Sequence, residues 1–345
     1  MDQNLKAVQG LRGLVRGDSM NWAAARQRLN LVPPKRRMRM RYLDSFAEER
    51  SQSTLPVPYL HSTHESVLDP LGPADVTEWF TASLLSAARM NLSLETAGKH
   101  ELWKDLVATR ALNPAEVRGR LGTTIALETL ANKGFDGTSG KDNPHYFDDL
   151  ALVRAVAVAF CCGNKSDLSE KIIEEVGLTA SGDGLSGAVA FGHLFFDILT
   201  GTSVDDALDS LVVGLAEDTW PRGVLEQALN LVPEANSVDE LAFALERDIA
   251  DHVYSYQVSV PETLAMVCAH LKFASSRDQL IAAGILHSSR AEVMAPLIWS
   301  LAGLIFGGFP DKARDLQGLS IKAVKGINPE HILGDITTRI GTEIS

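Results

Sequence analysis

Between residues 76 and 306 the apolar residues recur three and four apart. No stretch of four to eight residues there alternates as a half-buried strand does. That pattern confines the chain to helices packed on helices. Its extreme case is 293–310, 18 residues without a charge. The run touches the lower length limit for a membrane span. It carries Pro296, Gly303, Gly307 and Gly308, and Arg290 and Asp311 flank it closely. We therefore expect a buried core helix over 291–306 rather than a span. The opening MDQNLKAVQG has no apolar segment of the signal-peptide kind, and none is expected.

Other helices follow from periodicity and start signals. Residues 76–90 place Trp79, Phe80, Leu84 and Leu85 on one face. Asn113 and Pro114 open a helix that runs through Leu130. Residues 150–160 are apolar on nearly all sides, the mark of a helix buried all round. Further helices are expected over 166–176 after Asn164, over 187–199, over 241–252, from Pro261 through 271, and from Ser276 to about 286. Ser203-Val-Asp-Asp206 and Ser237-Val-Asp-Glu240 read as capped helix starts. Residues 54–60, with two prolines, and 61–74 read as loop, as does 133–144 with its three glycines. There is no solenoid period and no linker, so the fold class is all-α, with one large domain over 1–345.

Charge is distributed unevenly. The net formal charge is −12, yet residues 1–53 hold eleven Lys/Arg against five Asp/Glu, densest at Lys35 to Arg41. This is either a solvated segment lying on the acidic body or an arm that grips an anionic ligand or partner. The acidic whole argues against general nucleic-acid binding, which needs clustered cations for phosphate. With 45% hydrophobic and 22% charged residues, disorder is excluded as the general state. Cys161, Cys162 and Cys268 make no disulfide scaffold and no CxxC pair. A reducing, cytoplasmic setting is the expectation, and a zinc ribbon is not.

Several motifs bear chemistry, each with a structural alternative. Gly10, Gly13 and Gly17, followed by Asp18, lie on a helix-like path. Three glycines cost that helix roughly 1 kcal/mol each against Ala, so close packing is the expected reason. Asp75 stands at the mouth of a helix, with Glu78 one turn in, and a cap is the plain reading. Asp148 and Asp149 precede the core helix, where they would cap it or hold a metal or ribose. Arg154, inside that helix, needs a carboxylate or phosphate partner. No Ser/His/Asp arrangement, GxGxxG or P-loop is visible.

Taken in order from about Gly10 to Gly308, these pieces resemble the ADP-ribosylglycohydrolase family. Gly10 to Asp18 looks like the family's opening glycine-rich helix ending in Gly-Asp. Gly72-Pro-Ala-Asp-Val-Thr-Glu-Trp79 falls where the family has its Thr-Asp-Asp-Thr metal motif. Residues 139–154 look like the stretch leading to its Val-Arg helix. Leu178-Thr-Ala-Ser-Gly-Asp-Gly184 is similar to its Thr-His loop, with Ala180 in place of His. His287-Ser-Ser-Arg-Ala-Glu-Val293, followed by Gly303 and Gly307, sits where Gly-Gly-Asp-x-Asp-Thr and its small-residue helix belong.

The resemblance implies a single orthogonal helical bundle with a central cleft, in which residues 19–60 form a divergent basic, proline-containing segment. Active members hold two magnesium ions in that cleft through the second and last of these motifs. Here the corresponding triplets read Ala74, Asp75, Val76 and Arg290, Glu292, Val293. Asp75 and Glu292 would be the remnants of the metal site. Magnesium takes near-octahedral oxygen ligands, which valine does not offer, and Arg290 would bring a positive charge to the cation's place. No working cofactor is expected, magnesium being the only candidate. The implied function is a degenerate ADP-ribosylglycohydrolase-like protein, a pseudoenzyme that takes an ADP-ribose-like or nucleotide ligand or a protein partner. Asn143, His145, Tyr146, Arg154, Ser288, Ser289 and Arg290 would line the ligand, and the basic N-terminal segment would meet the partner. The alternatives are an active N-glycoside hydrolase using Asp75, Glu78, Asp148, Asp149 and Glu292 as its carboxylates, and a plain helical scaffold. No membrane association is expected.

Overall fold

Helix starts in this chain are set by side chains that accept the first free backbone N–H groups. Asn164 accepts from Ser166 N–H, Ser203 from Asp206 N–H, Ser237 from Glu240 N–H and Ser276 from Gln279 N–H. The computed structural model describes residues 3–20, 75–91, 140–250, 258–287 and 291–309. Within them the helices, numbered in chain order, are α1 Gln3–Met20, α2 Asp75–Asn91, α3 Leu150–Cys161 and α4 Lys165–Val176. Then come α5 Gly182–Thr200, α6 Val204–Gly214, α7 Trp220–Leu231 and α8 Val238–Asp248. The last are α9 Val260–Phe273, α10 Arg277–Leu286 and α11 Ala291–Phe306. Among the described residues there is no strand, only an isolated bridge between Asp148 and Ser259. The expected helix over 114–130, the loops 54–74 and 133–139, and the basic stretch from residue 21 on lie outside the described residues.

Three expectations change. α5 begins at Gly182, five residues earlier than the apolar pattern suggested, because Ser181 in extended backbone starts it and three glycines mask its first turns. α8 begins at Val238, directly after its Ser237 cap, and ends at Asp248. α7 was not expected at all. Its signal was Pro221 in the first turn, where a missing N–H costs nothing.

α3 is the centre of the bundle. Its residues from Leu150 to Phe160 are all buried, and it touches α2, α4, α5, α9 and α11. Phe160 at its end meets Phe80 of α2 and Phe195 of α5 edge to face, at ring-centroid distances of 5.8 and 5.0 Å. One apolar cluster runs from Ala7 to Phe309.

α1 and α11 form the tightest pair. A Cβ at Gly13 would stand 2.0 Å from the Trp299 carbonyl oxygen, and one at Gly303 would stand 2.1 Å from that of Gln9. Only glycine permits that approach, which answers the question raised by the glycines of the first helix. Ser300 Oγ donates to the Gly10 carbonyl at 2.9 Å and Phe309 N–H to Gln9 Oε1 at 2.7 Å. α11 is therefore the buried core helix expected from its uncharged run. No helix among the described residues is long and apolar enough to cross a membrane.

Candidate functional site

The C-terminal end of α1 is where the starts of α2 and α11 meet. Gly17 lies against Ala295 and Pro296 of α11; a Cβ there would stand 2.7 Å from the Ala295 carbonyl oxygen. Asp18, itself 4% exposed, accepts from Thr77 N–H at 2.8 Å. The cap of α2 thus comes from Asp18, 59 residues away, on a backbone N–H that the sequence reading left to Asp75. Asp75 opens α2, Glu78 lies in its first turn and Glu292 is the second residue of α11. Their side chains lie outside the described ones, as do residues Ser288, Ser289 and Arg290. The neighbours in both triplets are described: Val76 and Val293 are each fully buried in the apolar core. Asp18 and Gly17 thus hold the first turn of α2 and the second turn of α11 against the same end of α1.

A second group is built on the connection into α3. Gly140 packs on the turn after α4; a Cβ there would stand 2.2 Å from the Gly177 carbonyl oxygen. Asn143 is buried. Its Nδ2 donates to the Thr179 carbonyl at 2.7 Å and its Oδ1 accepts from His145 N–H at 2.9 Å. His145 and Tyr146 are half-buried beside this turn, and the Tyr146 carbonyl accepts from Ser181 N–H. The 140–148 segment thus lies on the 177–184 segment, so two further motifs are brought together.

Asp148 and Asp149 are committed to the start of α3. Asp148 Oδ1 accepts from Leu150 N–H at 3.0 Å. Asp149 is fully buried and accepts from the Thr263 hydroxyl at 2.7 Å, while its own N–H donates to the Val258 carbonyl. Asp149 occupies the N-cap position without capping through its side chain.

Arg154 has the carboxylate partner that its place in an apolar helix demanded. The guanidinium is 0% exposed and Glu175, on α4, is 1% exposed. Nη2 stands 3.2 Å from Glu175 Oε1 and also donates to the Glu175 carbonyl. Nη1 donates to Thr179 Oγ1, and Nε to Ser83 Oγ at 3.1 Å. Ser86 Oγ completes the set by donating to Glu175 Oε2 at 2.6 Å. Burial pulls the guanidinium below its ordinary pKa and Glu175 opposes that shift. The group ties α2, α3, α4 and the 177–184 turn into one unit. Sequence reading missed Glu175. Its signal was an acid on the stripe Leu168, Ile172, Val176, the face that α4 buries.

A buried histidine pair was also missed. His270 Nε2 and His287 Nε2 are 2.8 Å apart, with exposures of 1% and 0%. His287 Nδ1 stands 2.7 Å from Glu246 Oε1. A carboxylate can only accept there, so His287 Nδ1 carries the hydrogen. The neutral pair then needs His270 Nε2–H donating to a bare His287 Nε2. That leaves His270 Nδ1 bare, and among the described residues it has no hydrogen-bond partner. Burial and the neighbouring His287 hold His270 well below the usual imidazole range.

This arrangement, with α3 at its centre and α1 paired to α11, is the all-α bundle of the ADP-ribosylglycohydrolase type. Among solved structures, the chain is similar to one described as "ADP-ribosylglycohydrolase-related protein complex", at 14% sequence identity and a TM-score of 0.61. The likeness covers 100% of this chain and 99% of that one. No family model matches the chain, and no curated protein does.

Proposed function

We propose that this chain is a divergent ADP-ribosylglycohydrolase-like protein that binds an ADP-ribose-like or nucleotide ligand, or a partner protein, without metal-dependent hydrolysis. The observation that carries this reading is the burial of Val76 and Val293 within a fold shared over the full length. By the resemblance of the motifs these side chains stand for two of the family's magnesium ligands, and both are buried in the apolar cluster. A hard cation needs oxygen there. The donor set that remains, Asp75 and Glu292, does not fit a dinuclear magnesium centre. The two acids of the α3 start also weigh against hydrolysis, because Asp148 and Asp149 already hold Leu150 N–H and the Thr263 hydroxyl. The surface for a ligand is the half-buried His145 and Tyr146, where the 140–148 segment meets the 177–184 segment.

Calorimetric titration of the full chain with ADP-ribose, with and without magnesium, tests this. The expected result is binding in the micromolar range that magnesium leaves unchanged. Magnesium-dependent heat would overturn the degraded-site reading. No heat under either condition would remove the ADP-ribose ligand and direct the search to a protein partner of the basic N-terminal segment.

A further inference from the structure

α4 and α6 both pack on α5 and leave a groove between them, a cavity of about 630 Å³. That volume lies in the range of small-molecule sites. Its walls are apolar along Ile173, Leu185, Val189, Leu194 and Leu211. One end is polar. Ser169 Oγ stands 2.7 Å from His193 Nε2, and one turn away on the same two helices Lys165 Nζ stands 2.6 Å from Asp197 Oδ1. All four line the groove. A hydroxyl held at hydrogen-bond distance from an imidazole, facing an apolar cavity, is the geometry of a nucleophile with its base.

We propose that Ser169 and His193 form a reactive centre for small apolar esters, independent of the ADP-ribose reading. Ser169 Oγ attacks the acyl carbon, forming the Oγ–C bond, and His193 Nε2 takes the hydroxyl proton. The C–O bond to the alcohol breaks, and His193 returns the proton to the leaving oxygen. Water then attacks the acyl-serine, its proton passing through His193 back to Oγ. The sum is ester plus water giving acid plus alcohol. The ester's apolar body lies along Leu185 and Val189. An ammonium has three donors, so Lys165 can hold Asp197 and still face a developing oxyanion. His193 suits a base: burial, then the nearby Lys165, lower its pKa against the opposing pull of Asp197, so it is neutral at pH 7.

The test is covalent labelling of the folded full chain with a fluorophosphonate, with peptide mapping by mass spectrometry, alongside hydrolysis of p-nitrophenyl butyrate. An adduct on Ser169 is expected, lost in Ser169→Ala and reduced roughly a hundred-fold in His193→Gln. Ester hydrolysis should fall in parallel, with helical circular dichroism retained. Labelling of the unmodified chain needs no variant, so an unstable mutant leaves the test intact. No adduct on Ser169, or hydrolysis at the buffer rate, overturns the proposal and leaves the pair as a tie between α4 and α5.

Discussion

His270 shows how burial beside a second imidazole turns into a measurable pH dependence. Its folded pKa lies below the unfolded value of about 6.5. The native state therefore binds fewer protons than the unfolded chain. Stability from this site is fully present above about pH 6.5 and is lost as pH falls below it, by at most about 1.4 kcal/mol per pH unit. Urea unfolding at pH 7.5, 6.0 and 5.0 should show this loss, and His270→Leu should flatten it. An unchanged acid slope in that variant would remove His270 as the cause. Arg154 makes the complementary case, a charge retained because its partner is buried with it. Glu175→Ala would leave the guanidinium uncompensated in the core, at a cost of about 3–5 kcal/mol in a urea titration. A loss under about 1 kcal/mol would mean that Ser83, Thr179 and the backbone carbonyl of residue 175 suffice to satisfy Arg154.

At the scale of the element, the glycines of α1 and α11 reverse an ordinary rule. Replacing a mid-helix glycine with alanine favours the isolated helix by roughly 1 kcal/mol. At Gly13 the added Cβ would stand 2.0 Å from the Trp299 carbonyl oxygen, which is backbone and cannot turn aside. Gly13→Ala should therefore lower the unfolding midpoint, with a net loss of about 1–3 kcal/mol from overpacking. A rise in stability would show that α1 and α11 can slide apart. The same crossing sets the site, because Gly17 and Asp18 lie at the end of α1 that meets α2 and α11. The local rules were legible here: the caps at Asn164, Ser203, Ser237 and Ser276 were readable from spacing alone. α7 was not, since Trp220-Pro-Arg-Gly223 looks like a turn until the neighbouring α9 buries its Leu225 and Ala228.

For the whole molecule, a core that runs continuously from Ala7 to Phe309 predicts that the described helices unfold together. Three of the five tryptophans, Trp79, Trp220 and Trp299, report on α2, α7 and α11 by fluorescence, and far-ultraviolet circular dichroism reports from every helix. The two thermal transitions should coincide. Separated midpoints would show that part of the bundle folds by itself.

Helix character, the caps and the small-residue face of α1 were determined by the sequence alone, because each depends on residues within a turn or two of one another. The order of the motifs was readable too, and it pointed to the same bundle that the full-length structural likeness shows. Which residues satisfy one another was decided only by tertiary structure. Asp18 finds Thr77 across 59 residues, Asp149 finds Thr263 across 114, and His287 finds Glu246 across 41. Such pairs obey no helical period. They form because packing brings distant polar groups into a medium where each costs more alone than together.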